Sequence, residues 1–271
     1  MTHTRAELSK ILSDQGLSPS RALGQNFVVD PNTVRRIARL AGVGPGDLVL
    51  EVGAGLGSLT LALAETGAEV VALEVDRHLI APLRAAVEPA GVRVVHANAL
   101  EVDLEEVLAG RAAVVVANLP YNVATPVVVT LLERAPSVGR LLVMVQREVA
   151  ERLAAGPGEP AYGAASVRVA YFAEARVVGR VSASVFLPRP RVESSLVEIV
   201  RRARVAVDPA RVGEAELFEV VRTAFGQRRK MLRRSLAAWA SEGVFERAGV
   251  DPTRRPEELS IEEFADLAAA R

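Results

Sequence analysis

"LVLEVGAGLGSLT" (residues 48–60) reads as a buried strand, a glycine turn and the opening of a helix. Gly53, Gly55 and Gly57 let the backbone approach a ligand closely. Glu74 ends the next apolar run about 20 residues on, where a carboxylate accepts from ribose hydroxyls in open α/β sheets. A dinucleotide fingerprint is spaced G-x-G-x-x-G. Here the spacing is G-x-G-x-G, Ser58 takes the place of the third glycine, and an acid, Glu51, stands two positions ahead of Gly53. That combination points to S-adenosylmethionine, which has no pyrophosphate to hold at the helix N-terminus.

Outward from this turn the chain alternates. The runs at 68–75, 91–97, 112–118 and 139–146 read as further strands separated by helical stretches, so the fold class is α/β, with a mostly parallel, seven-stranded Rossmann-like sheet covered on both faces. Ahead of it, 5–15 reads as a helix, and "DPNTVRRIARLAG" as another with Asp30 as cap, Pro31 at its first position and Gly42 as its stop. "TPVVVTLLERA" starts with Thr125 as cap and Pro126 at its first position. After the loop "GPGEPAYG", "SVRVAYFAEARVVGRV" and "SSLVEIVRR" read as two strands forming an antiparallel hairpin at the sheet edge. From Val205 the text is helical, with breaks at Gly213, Gly226, Gly243 and Pro252. This gives a Rossmann-like domain with N-terminal helices over 1–204 and a small helical domain over 205–271.

Composition excludes several chemistries. The chain has 271 residues, half of them apolar, and no cysteine, so disulfides and thiolate metal sites are out. His3, His78 and His96 are too scattered for a zinc site or a Ser-His-Asp triad. No apolar run is long enough to span a bilayer, and "MTHTRAELSK" lacks the apolar core of a secretory signal. A cytoplasmic protein is expected, without membrane association or metal. Net charge is zero, but Arg222, Arg228, Arg229, Lys230, Arg233 and Arg234 fall in "RTAFGQRRKMLRR" with no acid among them. Such a stretch is either a solvated helix face or a phosphate-binding patch.

"ANLPYNVATP" (117–126) closes the fourth strand. An adenine exocyclic amine is a poor nucleophile because its lone pair is delocalised into the ring. Acceptors on both of its N–H bonds favour a tetrahedral nitrogen and localise that pair. The Asn118 side-chain oxygen supplies one and the Leu119 carbonyl the other, with Pro120 shaping the turn and Tyr121 stacking on the base. The partner is an already activated sulfonium methyl, so positioning and electrostatic complementarity suffice. Asn98, in "HANAL" after the third strand, sits where such sheets present a polar side chain to adenine, and it suits a plain turn equally well.

With "LGQNFVVD", "EVGAGLGSLT", "NLPYNVATP", "VFLPRPRVESSL" and "AFGQRRKMLRRSL" in order between about Ser20 and Leu236, the chain resembles the rRNA adenine N6-dimethyltransferases. It is most similar to the type that dimethylates two adjacent adenosines near the 3′ end of 16S rRNA during small-subunit biogenesis. The resemblance implies that Asn26 and Val28 cover the cofactor and that Gly53 contacts its methionine part. It further implies that Glu74 binds the ribose, that Asn98 holds the adenine edge, and that Asn118 lies between cofactor and target. Phe186 would stack on the target opposite Tyr121, and the six cations of 222–234 would grip rRNA. The family usually carries Asp where this chain has Asn98. A monomer is expected. The competing readings are a macrolide-resistance 23S methyltransferase, disfavoured by "FGQRRKMLRRSL"; a non-catalytic rRNA-binding factor, which would be expected to lose the Asn-x-Pro-Tyr turn; and an NAD-dependent oxidoreductase, disfavoured by the glycine spacing.

Overall fold

A computed structural model describes residues 2–20 and 22–271. The chain divides into two compact units, Met1–Ala150 with Arg176–Val200, and Glu151–Ala175 with Arg201–Arg271. The second unit thus draws on an earlier stretch as well as on the segment after 204 that the sequence suggests.

The elements run α1 (Arg5–Asp14), β1 (Phe27–Val28), α2 (Pro31–Ala41), β2 (Leu48–Val52), α3 (Ser58–Ala64), β3 (Glu69–Glu74), α4 (Arg77–Val87), β4 (Arg93–His96), α5 (Leu104–Leu108), β5 (Ala113–Asn118), α6 (Ala124–Arg134), β6 (Val138–Gln146), α7 (Arg147–Ala154), α8 (Ala164–Phe172), β7 (Ala173–Val181), β8 (Phe186–Leu187) and β9 (Ser194–Arg201). There follow α9 (Glu214–Gly226), α10 (Leu232–Ser235), α11 (Val244–Ala248) and α12 (Ile261–Ala269).

Seven strands form one sheet in the order β4-β3-β2-β5-β6-β9-β7. β2 pairs in parallel with both β3 and β5, so the connections turn one way after β2 and the other way from β5. A cleft opens at the carboxyl ends of the strands at such a switch point, which places the turn after Val52 beside the turn after Asn118. Val115, Val116 and Ala117 are wholly buried, as a strand covered on both faces requires. β9 runs antiparallel to β6 with Gln146 opposite Ser194, and β7 lies outside it. A separate two-stranded ladder sets Val28 opposite Phe186. At α2, the Asp30 carboxylate accepts from the N–H groups of Asn32 and Thr33, and Gly42 ends the helix in the left-handed region at φ 58°.

Two elements differ from the sequence reading. "AASVRVAYF" (164–172) is the helix α8, not the first half of a strand. The Gly163 N–H donates to Ser166 Oγ at 3.0 Å. The Tyr171 ring meets Phe218 edge-on at 5.3 Å, while the Arg168 guanidinium lies over Phe218. Packing here overrides β-branched propensity. α6 begins at Ala124 after Val123, so Thr125 is not its cap. Pro126 still falls in the first turn, where a missing N–H costs nothing.

Candidate active site

The glycine turn and the Asn-Leu-Pro-Tyr turn face one another across a cleft lined by Asn26, Val28, Glu51, Gly53, Glu74 and Asn118–Tyr121, among others, with about 720 Å³ of empty space. An adjoining cleft shares Gly53 and Pro120 and is lined by Asn98. The glycines are needed for different reasons. A Cβ on Gly57 would lie 2.6 Å from Val87 Cγ1, and one on Gly55 3.0 Å from the Phe27 ring. A Cβ on Gly53 would meet only ordinary contacts, Pro120 Cδ at 3.7 Å and the Asn118 carbonyl oxygen at 3.8 Å, but its φ of 77° is a conformation that side chains disfavour.

Glu74 is 5% exposed. Its Oε2 accepts from the Gly55 N–H at 2.7 Å and its Oε1 from those of Val75 and Asp76 at 2.9 Å each. Burial raises its pKa against these three donors. A carboxylate offers about four acceptor directions, so Glu74 has one left for a ribose hydroxyl, not two. Its remaining work is to pin the glycine turn.

Asn118 is oriented by a single contact. Its Nδ2 donates to the Asn26 carbonyl at 2.9 Å. A carbonyl can only accept, so the amide nitrogen must face Asn26 and the Oδ1 must face away. Among the described residues no group donates to Asn118 Oδ1 or to the Leu119 carbonyl, whereas the Leu119 N–H is used by Met144 at 3.0 Å. Both proposed acceptors are therefore free. The segment carrying Asn26 is fastened at both sides: Asn122 Nδ2 donates to the Ala22 carbonyl at 3.1 Å, and Gln25 Nε2 to Asp76 Oδ2 at 2.7 Å.

Tyr121 lines the cleft, and its hydroxyl is hydrogen-bonded to Ser194 Oγ at 2.8 Å. Burial raises the phenol's pKa. Phe186 does not join it. The side chain is wholly buried in the core and lines neither cleft, because β8 is zipped to β1 with Val28 opposite Phe186. Stacking on a target base, expected from the family likeness, is not open to Phe186 where it stands.

Asn98 forms a turn: its Oδ1 accepts from the Leu100 N–H at 3.1 Å and its Nδ2 donates to Glu101 at 2.9 Å. Sequence reasoning had no view of Glu101, Gln25, Asn122 or Ser194. Glu101 lay within reach of a local i, i+3 reading, whereas the other contacts join distant stretches.

In the second unit Arg222, Arg229, Lys230, Arg233 and Arg234 are exposed. Arg228 differs, since its guanidinium donates to the Pro160 carbonyl at 2.7 Å and lies 3.8 Å from Glu257. The stretch is also not one helix: α9 stops at Gly226, and α10 begins at Leu232. Among the described residues no group of three or more His, Cys, Asp or Glu could hold a metal, and no helix is long and apolar enough to cross a membrane.

The sheet order and the cleft at its switch point are those of a class I S-adenosylmethionine-dependent methyltransferase. The chain aligns with the crystal structure of the 23S rRNA methyltransferase ErmE at TM-score 0.68 and 25% identity, covering 90% of this chain and 98% of that one. A dimethyladenosine transferase from Plasmodium falciparum shares the fold at TM-score 0.71 and 22% identity, over 88% and 94%. The family described as "Ribosomal RNA adenine dimethylase" matches residues 17–270, and the chain belongs to that family. Proteins named "Ribosomal RNA small subunit methyltransferase A" are 47% identical in Bifidobacterium longum subsp. infantis, over 98% of this chain and 92% of the relative, and 47% identical in Thermobifida fusca, over 99% and 96%. The higher identity of these relatives favours the small-subunit reading over the 23S one.

Proposed function

We propose that this enzyme dimethylates the N6 amines of two adjacent adenosines near the 3′ end of 16S rRNA in the small ribosomal subunit. The observation that carries the chemistry is the forced orientation of Asn118, whose amide nitrogen is held by the Asn26 carbonyl and whose oxygen is left to accept. The cleft fits S-adenosylmethionine: Glu74 keeps one acceptor direction for the ribose, and the buried Glu51 oxygen on the same wall has no partner among the described residues. Bound there, the cofactor supplies an activated sulfonium methyl, the electron pair of its broken C–S bond staying on sulfur.

The chain's own work is done by the Asn-Leu-Pro-Tyr turn. Asn118 Oδ1 and the Leu119 carbonyl accept the two N–H bonds of the target amine and localise its lone pair, which forms the new N–C bond. The surplus proton leaves to solvent. Tyr121 holds the base plane by stacking, worth about 1–3 kcal/mol per base. The exposed cations Arg222, Arg229, Lys230, Arg233 and Arg234 contact rRNA phosphates. The protein works as a monomer in the cytoplasm, where small subunits are assembled.

Labelled S-adenosylmethionine and undermethylated small subunits test the reading: label should map to two adjacent N6,N6-dimethyladenosines. Asn118→Ala should lower single-turnover rates far more than subunit binding, because the lost acceptor matters most as nitrogen becomes tetrahedral. Unchanged turnover in Asn118→Ala would sink the mechanism. A monomethylated amine keeps one N–H, so monomethyl product accumulates in Asn118→Ala if Asn118 is its partner, and both steps slow equally if Leu119 is.

A further inference from the structure

The turn that follows β5 carries two asparagines, and the mechanism uses only the first. Asn118 and Asn122 flank Leu119, Pro120 and Tyr121. Each donates its Nδ2 to a carbonyl of the same stretch of backbone, Asn118 to Asn26 at 2.9 Å and Asn122 to Ala22 at 3.1 Å. Two donors on the turn thus meet two acceptors at matching intervals on the segment. Asn122 stands on a closed turn, since the Val123 N–H donates to the Pro120 carbonyl at 3.2 Å. Its amide also lies against Gly24, where a Cβ would come within 2.7 Å of Asn122 Oδ1 and where φ is 64°. Glycine is what lets the backbone approach this amide so closely. Asn122 is exposed. A single neutral hydrogen bond open to water adds little to folding stability, so the use of Asn122 is set by where it stands.

Orientation is what Asn118 needs. Its amide has an accepting end and a donating end, and the last torsion of an Asn side chain is broad and roughly two-fold. Turned over, the amide would offer its own N–H to the target's N–H, and the acceptor would be lost. The Asn26 carbonyl prevents that only while it stays within reach of Asn118 Nδ2. One bond leaves the segment free to pivot about it, and a second bond to the same turn removes that freedom. Gln25 ties the segment to Asp76, the cap of α4, whereas Asn122 ties it back to the turn that carries Asn118.

We propose, resting on the function proposed above, that Asn122 is a positioning residue for methyl transfer. It holds residues 22–26 against the Asn-Leu-Pro-Tyr turn, so that the Asn26 carbonyl keeps Asn118 Oδ1 facing the target amine. Asn122 acts through Asn118 and not on the target itself. Without it the Asn118 amide samples both senses. An even split halves the productive fraction, so the single-turnover rate should fall at least about twofold. Complete loss of the orientation would bring it down to the rate of Asn118→Ala.

Single-turnover methylation of undermethylated small subunits, at saturating S-adenosylmethionine, tests this with Asn122→Ala, Asn118→Ala and the double variant. Asn122→Ala should lower the rate at saturating subunits and leave the half-saturating subunit concentration unchanged. In the Asn118→Ala background the same replacement should cost nothing more, because no amide is left to orient. Asn122→Asp keeps the shape and loses the donor, so it should be no faster than Asn122→Ala. A parental rate in Asn122→Ala, a parental rate in Asn122→Asp, or an equal factor lost in both backgrounds overturns the assignment, the last by marking Asn122 as a general support of the fold. Parental turnover in Asn118→Ala would instead defeat the mechanism on which the assignment rests, and it shows in that variant alone.

Discussion

Tyr121→Phe looks harmless from the sequence, since the ring and not the hydroxyl stacks on a base. The structure argues otherwise. The phenol is bonded to Ser194 Oγ at 2.8 Å, and Ser194 is wholly buried at the start of β9. Removing the phenol oxygen forfeits a neutral hydrogen bond, about 0.5–1.5 kcal/mol, and strands a buried hydroxyl, for a total cost of about 1–3 kcal/mol. Ser194→Ala strands the Tyr121 hydroxyl instead, but Tyr121 is only half-buried and can take water, so about 0.5–1.5 kcal/mol is expected. The double variant removes both partners and should cost no more than Tyr121→Phe alone, a coupling of about 1 kcal/mol. Urea denaturation of the four proteins measures this, and single-turnover methylation reports whether the ring has lost its fixed plane. Tyr121→Phe as stable as the parent, or single costs that simply add, would refute the reasoning.

Replacing Arg222, Arg229, Arg233 and Arg234 with Ala should flatten the salt dependence of subunit binding by about 0.7–0.9 in log–log slope per lost contact and leave cofactor binding alone. Arg228→Ala should lower the unfolding midpoint of the second unit more than it changes that slope, because Arg228 is already bonded to Pro160. Asn98→Asp should not tighten the cofactor by itself: the new carboxylate gains a charge-assisted contact but loses its donation to Glu101 and faces a like charge. Asn98→Asp with Glu101→Gln should bind more tightly than either single variant, as calorimetry would show. Glu74→Ala should lower thermal stability as well as affinity, since it releases the Gly55, Val75 and Asp76 N–H groups, each bond to a charged group being worth about 1.5–3 kcal/mol.

What was legible in the sequence was what is local. The cap, first-position proline and terminal glycine of α2 follow from adjacent residues, as does the glycine turn, because a positive φ or a missing N–H leaves a mark on residue type. The parallel sheet was legible because strands buried on both faces must be continuously apolar. The region 164–172 was misread because its β-branched and aromatic residues satisfy a strand pattern, whereas its packing against distant elements, the Phe218 ring among them, is that of the helix α8. Phe186 was assigned to the cleft by likeness, and its burial depends on a two-residue pairing with a segment far away in sequence.

The site divides the same way. Residue types named the chemistry, an amide and a carbonyl beside a cofactor turn, but they could not orient the amide. That took the Asn26 carbonyl, which as an acceptor leaves Asn118 one rotamer sense. The same segment, fastened by Asn122 to Ala22 and by Gln25 to Asp76, ties the Asn-Leu-Pro-Tyr turn to the residue that caps α4 beside Glu74. Displacing residues 22–26 would therefore disturb the cofactor cleft and turn Asn118 in one movement. One short segment thus holds the Asp76 end of the cleft through Gln25 and the orientation of Asn118 through the Asn26 carbonyl.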